Sequence, residues 1–255
     1  MAGISVTNKG GKALNTILAV RDLGISFGGN AVLKSINFEV YEQEVLGIMG
    51  PNGAGKTVLL NIISGILKAD HGEIEFLGQD IRKKKITERT NMGIGRTFQV
   101  PRAFEHMSVY ENILSSAVYG KNISEKEAHV KAVDILKLVR LEDKANEMAG
   151  KLSLINRKRL EIGAAMASSP KLILLDEVAG GLTNAEVNEI LEIVREIKSR
   201  GISIVWIEHV IQTLMNGTDR IMLMAEGKDL LTDKPQIVMN SKIVNEVYMG
   251  ADDDE

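Results

Sequence analysis

The chain has 255 residues, 44% of them hydrophobic, a length that allows one large domain or two small ones with a substantial core. It contains no cysteine, which excludes disulfides, zinc–thiolate sites and thiol nucleophiles. The formal net charge of -3 argues against a general nucleic-acid-binding protein. No apolar run approaches the roughly 18 residues of a membrane span. The apolar run near the amino terminus, residues 17–20, is also too short for a signal peptide. We therefore expect a soluble, cytoplasmic protein.

The two ends of the chain differ in character from the rest. We expect residues 1–16 to form a flexible lead-in and the acidic residues 251–255 to form a solvated tail. A single folded domain is then expected over 17–250.

The first part of this domain favours strands. Residues 17–40 alternate in polarity and carry a hairpin-type turn at "FGGN" (27–30), and the apolar run 45–49 predicts a buried strand. A glycine-rich loop follows, and then an amphipathic helix over 57–67. Residues 71–81 predict a short strand pair.

From about 100 to 170 the pattern becomes helical. Three segments in this range begin with a serine that can cap a helix, and they start at Ser108, Ser124 and Ser153. A glutamate follows the first two serines by three residues, which makes them capping boxes. The third helix is expected to run from Leu154 to about Ser168.

Beyond this range strands and helices alternate. Residues 172–175 and 202–207 are apolar runs typical of buried strands, and Thr183 with Glu186 caps the helix between them. Residues 220–231 predict a strand pair that turns at Gly227. The order of elements predicts an α/β core with a β-rich edge on the amino-terminal side and a helical insert near 100–170.

A phosphate-binding loop is indicated by "GPNGAGKT" (50–57), which lies between a strand and a helix and fits G-x-x-x-x-G-K-[ST] in full. Glycines let backbone N–H groups approach phosphate oxygens, and the following helix adds its dipole. Lys56 is expected to reach the β- and γ-phosphates, and the Thr57 hydroxyl to ligate Mg²⁺. The expected nucleotide-contacting residues of this loop are Gly50, Pro51, Asn52, Gly53, Ala54, Gly55, Lys56, Thr57 and Val58.

Two adjacent carboxylates end the strand in "LILLDE" (172–177). Alone, such a pair is more often a strand end or a helix cap. Beside a phosphate loop, Asp176 is expected to hold magnesium, and Glu177 to act as the general base toward the water that attacks the γ-phosphate. His209 leaves the next strand in "WIEHV" and should face the same edge of the sheet. Gln99, in "RTFQV", does not indicate a function when it is considered alone.

Taken together, "GPNGAGKT", Gln99 in "RTFQ", "LSLIN…RLEIGAAM", "LILLDE" and His209 closely resemble the nucleotide-binding subunit of ATP-binding-cassette (ABC) transporters. The resemblance covers roughly residues 17–250. It implies a P-loop NTPase core with an antiparallel β edge and an inserted helical subdomain. Residues 93–113, "RLEIGAAMA" (159–167) and residues 244–250 look most like the ATPases of branched-chain (hydrophobic) amino-acid uptake systems, although the ATPase of lipopolysaccharide export shares much of the pattern.

The resemblance assigns further roles. Phe27 matches the aromatic residue that stacks on adenine; the alternative is a plain core aromatic. Gln99 matches the residue that senses magnesium and the attacking water, and His209 the residue that contacts the γ-phosphate. The cofactors implied are ATP and Mg²⁺.

Residues 152–156, "LSLIN", match the family signature Leu-Ser-Gly-Gly-Gln, which binds the ATP held by a second cassette. Ser153 and the first amides of its helix are then ligands supplied to the partner subunit; the alternative is that Ser153 is a helix cap only. This sequence departs from the pattern, because Leu154 and Ile155 replace both glycines and Asn156 replaces glutamine. Val178 and Thr183 also replace the usual proline and aspartate.

The partners implied are membrane permease subunits, a second identical or sister cassette and, indirectly, a solute-binding protein, with no nucleic acid. The protein would lie on the cytoplasmic face of the cell membrane through the permeases. Residues 99–113, including Phe104, Met107 and Val109, are expected to line a groove for a permease helix; the alternative is that they pack the insert's own core. A soluble, non-transport ABC ATPase and a poorly hydrolysing regulatory half remain as other interpretations.

Overall fold

The computed structural model describes residues 15–121 and 123–249. The predicted acidic tail, and the predicted lead-in up to residue 14, lie outside the described residues. Thr16 already belongs to the first strand. No helix in the described ranges has the length and apolar character needed to cross a bilayer.

The strands are β1 (Thr16–Phe27), β2 (Asn30–Tyr41), β3 (Val45–Met49), β4 (His71–Phe76), β5 (Gln79–Asp80), β6 (Ile94–Arg96), β7 (Leu172–Asp176), β8 (Ser203–Ile207), β9 (Arg220–Ala225) and β10 (Lys228–Asp233). The α-helices are α1 (Lys56–Ser64), α2 (Ile86–Met92), α3 (Val109–Lys121), α4 (Glu125–Leu138), α5 (Leu154–Ala167), α6 (Asn184–Ser199), α7 (Ile211–Gly217), α8 (Pro235–Met239) and α9 (Lys242–Met249).

The strands form two sheets. The first is antiparallel, with strand order β2-β1-β4-β5. The second has the order β10-β9-β3-β8-β7-β6, and its neighbours pair in parallel except for β10, which is antiparallel to β9. Strands β3, β7 and β8 contain only buried residues, as expected for parallel strands covered on both faces. Their carboxyl ends meet at one edge of the sheet, where ligands bind in open α/β folds.

Alternation along β7 divides the core in two. Leu172 and Leu174 pack into the apolar cluster that includes α1 and the antiparallel sheet, whereas Ile173 and Leu175 pack into the cluster formed with the helical layer. Because side chains alternate along a strand, Asp176 at the end of β7 points to the side of α1. The core therefore fixes the direction of a candidate site residue.

Several predicted elements are confirmed, one ends earlier than predicted, and others were not predicted. The capping boxes at Ser108, Ser124 and Thr183 are present. The helix predicted over 57–67 ends at Ser64, because Gly65 adopts a left-handed conformation as its C-cap. Strand β6 and helices α2, α7, α8 and α9 had no counterpart in the sequence prediction.

Candidate active site

The phosphate-type loop spans residues 50–55, between β3 and α1. Gly50 has φ 152°, and a β-carbon there would lie 1.9 Å from the carbonyl oxygen of Met224 on β9. Gly55, the N-cap of α1, has φ 96°, and a β-carbon would lie 2.5 Å from Leu33 Cδ2. Glycine is thus favoured at both positions by backbone conformation, and at Gly50 it is also required by the nearby backbone.

The side chain of Lys56 lies over this loop. Its Nζ atom donates to the carbonyl oxygens of Gly50, at 2.7 Å, and Pro51, at 2.9 Å. Burial lowers the pKa of the Lys56 amine, and the negative charges of Glu177 and Asp176 oppose that shift. The loop therefore places a buried cation beside the two carboxylates that end β7.

The other predicted nucleotide residues differ in exposure. Asn52, Gly53 and Thr57 are exposed and Ala54 is buried, whereas Pro51 and Val58 are intermediate. Phe27, at the end of β1, is 46% exposed, so its ring is not part of the packed core.

Asp176 is buried, and one of its carboxylate oxygens has no hydrogen-bond partner among the described residues. Its Oδ2 accepts from an Arg96 guanidinium nitrogen at 3.4 Å, and its backbone N–H donates to Thr97 Oγ1 at 3.0 Å. Burial raises the pKa of the Asp176 carboxyl, and Arg96 counteracts this. The buried Oδ1 accepts no hydrogen bond from the described residues. Since Mg²⁺ prefers carboxylate oxygens, Oδ1 fits the predicted role of ligand to the ion or to one of its waters.

Glu177 brings two other predicted residues together. Its Oε1 lies 2.7 Å from His209 Nε2, and its Oε2 accepts from Gln99 Nε2 at 2.7 Å. The backbone of Glu177 has φ 51°, a left-handed conformation that residues with a β-carbon rarely adopt. Gln99 and His209 are exposed, whereas the Glu177 side chain between them is only 17% exposed.

Ser153 occupies the N-cap position of α5, but its hydroxyl makes no capping hydrogen bond. Neither Leu154 nor Ile155 has positive φ, so this helix start does not require the freedom of the glycines they replace. Ile155 is buried in the helical core, whereas Leu154 is 45% exposed. Among the described residues, no hydrogen bond joins Ser153 to the phosphate-type loop of its own chain.

Sequence reasoning missed two buried charged residues at this edge of the sheet. Lys158 on α5 donates to the backbone carbonyl of Glu177 at 2.7 Å. Glu208, between the end of β8 and His209, accepts from the backbone N–H of Ala179 at 2.6 Å. A charged residue directly after the apolar strand β8 was the available signal for Glu208; nothing local distinguished Lys158 within the basic run "RKR".

Val109 was expected in an exposed groove and is buried instead, at the first position of α3. Phe104 is 61% exposed, as expected, and Met107 is intermediate. A groove does exist here, with a volume of about 480 Å³. Phe104, Tyr119, Ile66, Ile86 and Arg102 are among its lining residues.

The sequence profile of the ABC transporter family matches residues 33–180, which is more than half of the chain. The chain belongs to the ABC transporter family. The cassette is 34% identical over 250 residues to a probable branched-chain amino acid transport ATP-binding protein, LivG, from Archaeoglobus fulgidus, covering 94% of this chain and 97% of the relative. It is also 30% identical over 235 residues to the lipopolysaccharide export system ATP-binding protein LptB from Haemophilus influenzae, covering 92% and 98%.

Solved structures agree with this assignment. An ATP-binding cassette of an ABC transporter in its ADP conformation superposes with a TM-score of 0.84 at 31% identity, covering 92% of this chain and 99% of that one. The cassette therefore has the P-loop α/β fold predicted from its motifs, binds nucleotide, and is an ABC-type ATPase that serves as a transporter subunit.

Proposed function

We propose that this cassette hydrolyses ATP with Mg²⁺ to energise the uptake of branched-chain or other hydrophobic amino acids through membrane permease subunits. The observation that carries the catalytic part is the position of Glu177. His209 and Gln99, which belong to other motifs, hold its two carboxylate oxygens. The buried amine of Lys56 lies close enough for its positive charge to interact with the negative charge of Glu177. The 34% identity to LivG supports the choice of solute.

Each predicted residue then has a distinct task in hydrolysis. Phe27 stacks on the adenine, while the backbone N–H groups of residues 50–58 and the amine of Lys56 bind the phosphates. Thr57, Gln99 and Asp176 would hold the magnesium ion. When bound, this ion would supply positive charge that neutralises the phosphates.

Glu177 is the proposed general base. It accepts a proton from a water molecule, whose oxygen forms a bond to the γ-phosphorus while the bond from that phosphorus to the ADP oxygen breaks. ADP takes the electron pair of the broken bond. His209 orients the Glu177 carboxylate and contacts the γ-phosphate, and Gln99 orients the carboxylate from the other side.

A second cassette, identical or a sister, completes each site. The hydroxyl of Ser153 makes no cap hydrogen bond in the described part of the chain, which leaves it available to an ATP held by the partner. The first amides of α5 add the positive end of the helix dipole. A signature helix without glycines can do this because its start has ordinary helical backbone angles.

The groove beside residues 99–113 is the proposed docking surface for a short permease helix. Its rim carries exposed apolar side chains, including Phe104 at 61%, Tyr119 at 88% and Ile86 at 49%. Docking there would hold the cassette at the cytoplasmic face of the membrane. The solute-binding protein would act only through the permeases, and nucleic acid has no role.

The similarity to LptB makes a lipopolysaccharide-type exporter the second candidate. The discriminating experiment is uptake of labelled leucine, isoleucine and valine by source cells that lack this chain, complemented with the wild-type chain or with Glu177→Gln. We expect the wild-type chain to restore uptake and the variant to fail. Normal uptake in the uncomplemented cells, together with a defect in cell-envelope lipopolysaccharide, would favour the exporter.

A further inference from the structure

We propose that Lys158 and Glu208 are positioning residues, which hold Glu177 in its left-handed conformation and so aim its carboxylate at the reacting water. This inference rests on the proposed role of Glu177 as the base. Both act on the backbone that carries the base, Lys158 at the carbonyl of Glu177 and Glu208 at the N–H of Ala179, two residues later.

The first restraint comes from α5. The Lys158 side chain is buried, and its Nζ atom donates to the carbonyl oxygen of Glu177 at 2.7 Å. Burial lowers the pKa of this amine, and the negative charges of Glu208, Glu161 and Glu177 oppose that shift. A buried amine aimed at a backbone carbonyl fixes the peptide that follows Glu177.

The second restraint comes from the end of β8. Glu208 is 1% exposed, and its Oε1 accepts from the backbone N–H of Ala179 at 2.6 Å and from Trp206 Nε1 at 3.1 Å. Ala179 lies two residues after the base. Burying a carboxylate costs desolvation energy, which a residue that merely ends a strand would not require. Here the Glu208 carboxylate accepts a hydrogen bond from the turn that follows Glu177.

These restraints act on a backbone that would otherwise relax. Glu177 has φ 51°, and its own N–H donates to the Ile207 carbonyl at 2.9 Å. Strand β8 therefore fixes the backbone N–H of Glu177, and Lys158 on α5 fixes its carbonyl. Glu208 fixes the backbone N–H two residues later. Residues with a β-carbon persist in such a conformation only where the surroundings determine it. Without Lys158 or Glu208, the carboxylate would lose its alignment with His209 and Gln99.

The test is a double-mutant cycle on steady-state ATP hydrolysis by the purified full-length chain. Lys158→Met removes the donor and keeps the length of the side chain. We expect kcat to fall by about 10- to 100-fold, because small misplacements of a catalytic group cost about that much. The KM for MgATP should change far less, since the phosphate loop is untouched. Lys126→Met, on the exposed face of α4, is the matched control and should keep normal kcat.

The decisive comparison uses a Glu177→Gln background. If Lys158 acts through Glu177, adding Lys158→Met there should lower the residual kcat by less than about 3-fold, because residues that act as a unit are not additive. Equal losses in both backgrounds would overturn the proposal and leave Lys158 as a structural residue. An unchanged kcat in Lys158→Met alone would also overturn it.

Glu208 gives an independent arm if Lys158→Met does not fold. Glu208→Met removes the acceptor and should lower kcat in the same non-additive way. Glu208→Gln, which keeps an oxygen that can accept from Ala179, should recover most of that loss. If both variants lose the same turnover, the bond to Ala179 is not the cause and the proposal fails for Glu208. Normal turnover in Glu177→Gln itself would instead refute Glu177 as the base. Failure of the proposed function can therefore be distinguished from failure of the positioning role.

Discussion

His209 Nε2 lies 2.7 Å from one carboxylate oxygen of Glu177, and the side-chain amide of Gln99 donates to the other oxygen at the same distance. Three motifs that are far apart in the sequence thus converge on one carboxylate. A carboxylate held at both oxygens has a single orientation, which general-base chemistry needs.

Glu177→Gln should therefore bind MgATP about as well as the wild type and lose about 10²-fold or more in turnover, because the amide cannot accept the proton. ATPase assays with the partner subunits present, combined with nucleotide binding measured by calorimetry, check both parts. Near-normal turnover would show that another group is the base. Glu192→Gln, on the exposed face of α6, provides the control exchange.

Phe27→Ala should weaken ATP binding. The ring is 46% exposed and is free to stack on adenine, and stacking contributes about 0.5–1.5 kcal/mol. We expect a loss of affinity of about 2- to 10-fold, with kcat at saturating ATP little changed. Phe27→Tyr retains the ring and should retain the affinity. Equal affinity in Phe27→Ala would leave Phe27 without a role in nucleotide binding.

Ser153→Arg should prevent ATP-dependent pairing of two cassettes. In a Glu177→Gln background, which traps bound ATP, sizing in the presence of ATP should detect a dimer. Adding Ser153→Arg places bulk and charge at the start of α5 and should leave a monomer. Because contact of an anion with one helix start contributes only about 0.3–2 kcal/mol, the dimer should be weak and salt-sensitive. Undiminished dimerisation of the double variant would reduce Ser153 to a structural residue.

The groove should be found by crosslinking, since the chain has no cysteine of its own. A cysteine at Arg102, which lines the groove, should crosslink to a permease in the assembled complex, as should one at Glu105 beside it. Val130→Cys is the control, because Val130 is 70% exposed on α4 and does not line the groove. Crosslinks from Val130 but from neither groove position would place the permease on another surface.

Glu208 should make stability depend on pH. Burial raises the pKa of its carboxyl from 4.5 to about 7, against the opposing effects of hydrogen bonds from Ala179 and Trp206 and of the charge of Lys158. The negative charge of Glu177 raises this pKa further. The folded state thus binds this proton more tightly than the unfolded state. The stability it contributes is fully present below about pH 4.5 and is lost as the pH rises through about 7.

Glu208→Gln removes that titration. Its free energy of unfolding, relative to wild type, should increase between about pH 4.5 and 7 and then level off, by at most about 3 kcal/mol. Urea unfolding followed by the emission of Trp206, the only tryptophan of the chain, measures it. Glu161, whose pKa is likewise raised to about 7 by burial, titrates in both proteins and cancels in the difference. A difference that does not vary with pH would contradict this expectation.

The candidate site residues could be selected from the sequence because the motifs stand at the ends of predicted strands, where loops and helix starts follow. "GPNGAGKT" could be interpreted as a phosphate-binding loop from the predicted strand before it and the predicted helix after it. In contrast, α2 and β6 have 7 and 3 residues, too few for periodicity to distinguish them. Val109 was misplaced because its β-branched side chain follows the serine cap of α3 and packs inward, which the local pattern does not reveal.

Lys158 and Glu208 could not be interpreted from the sequence because their partners are distant in the chain. The Lys158 bond spans 19 residues and the Glu208 bond spans 29. Only the parallel order of β7 and β8, with α5 packed across them, brings these groups together. Buried charges of this kind belong to tertiary structure, and propensity does not encode them.

Lys56 donates to two carbonyl oxygens of its own loop, at 2.7 and 2.9 Å. A phosphate group that takes those hydrogen bonds must compete with Gly50 and Pro51, so binding exchanges one set of acceptors for another. The same exchange favours release, because the departing phosphate is replaced by acceptors that are already in place. If Lys56 binds phosphate as proposed, these two carbonyl oxygens would moderate affinity for the product and so help the cassette to turn over.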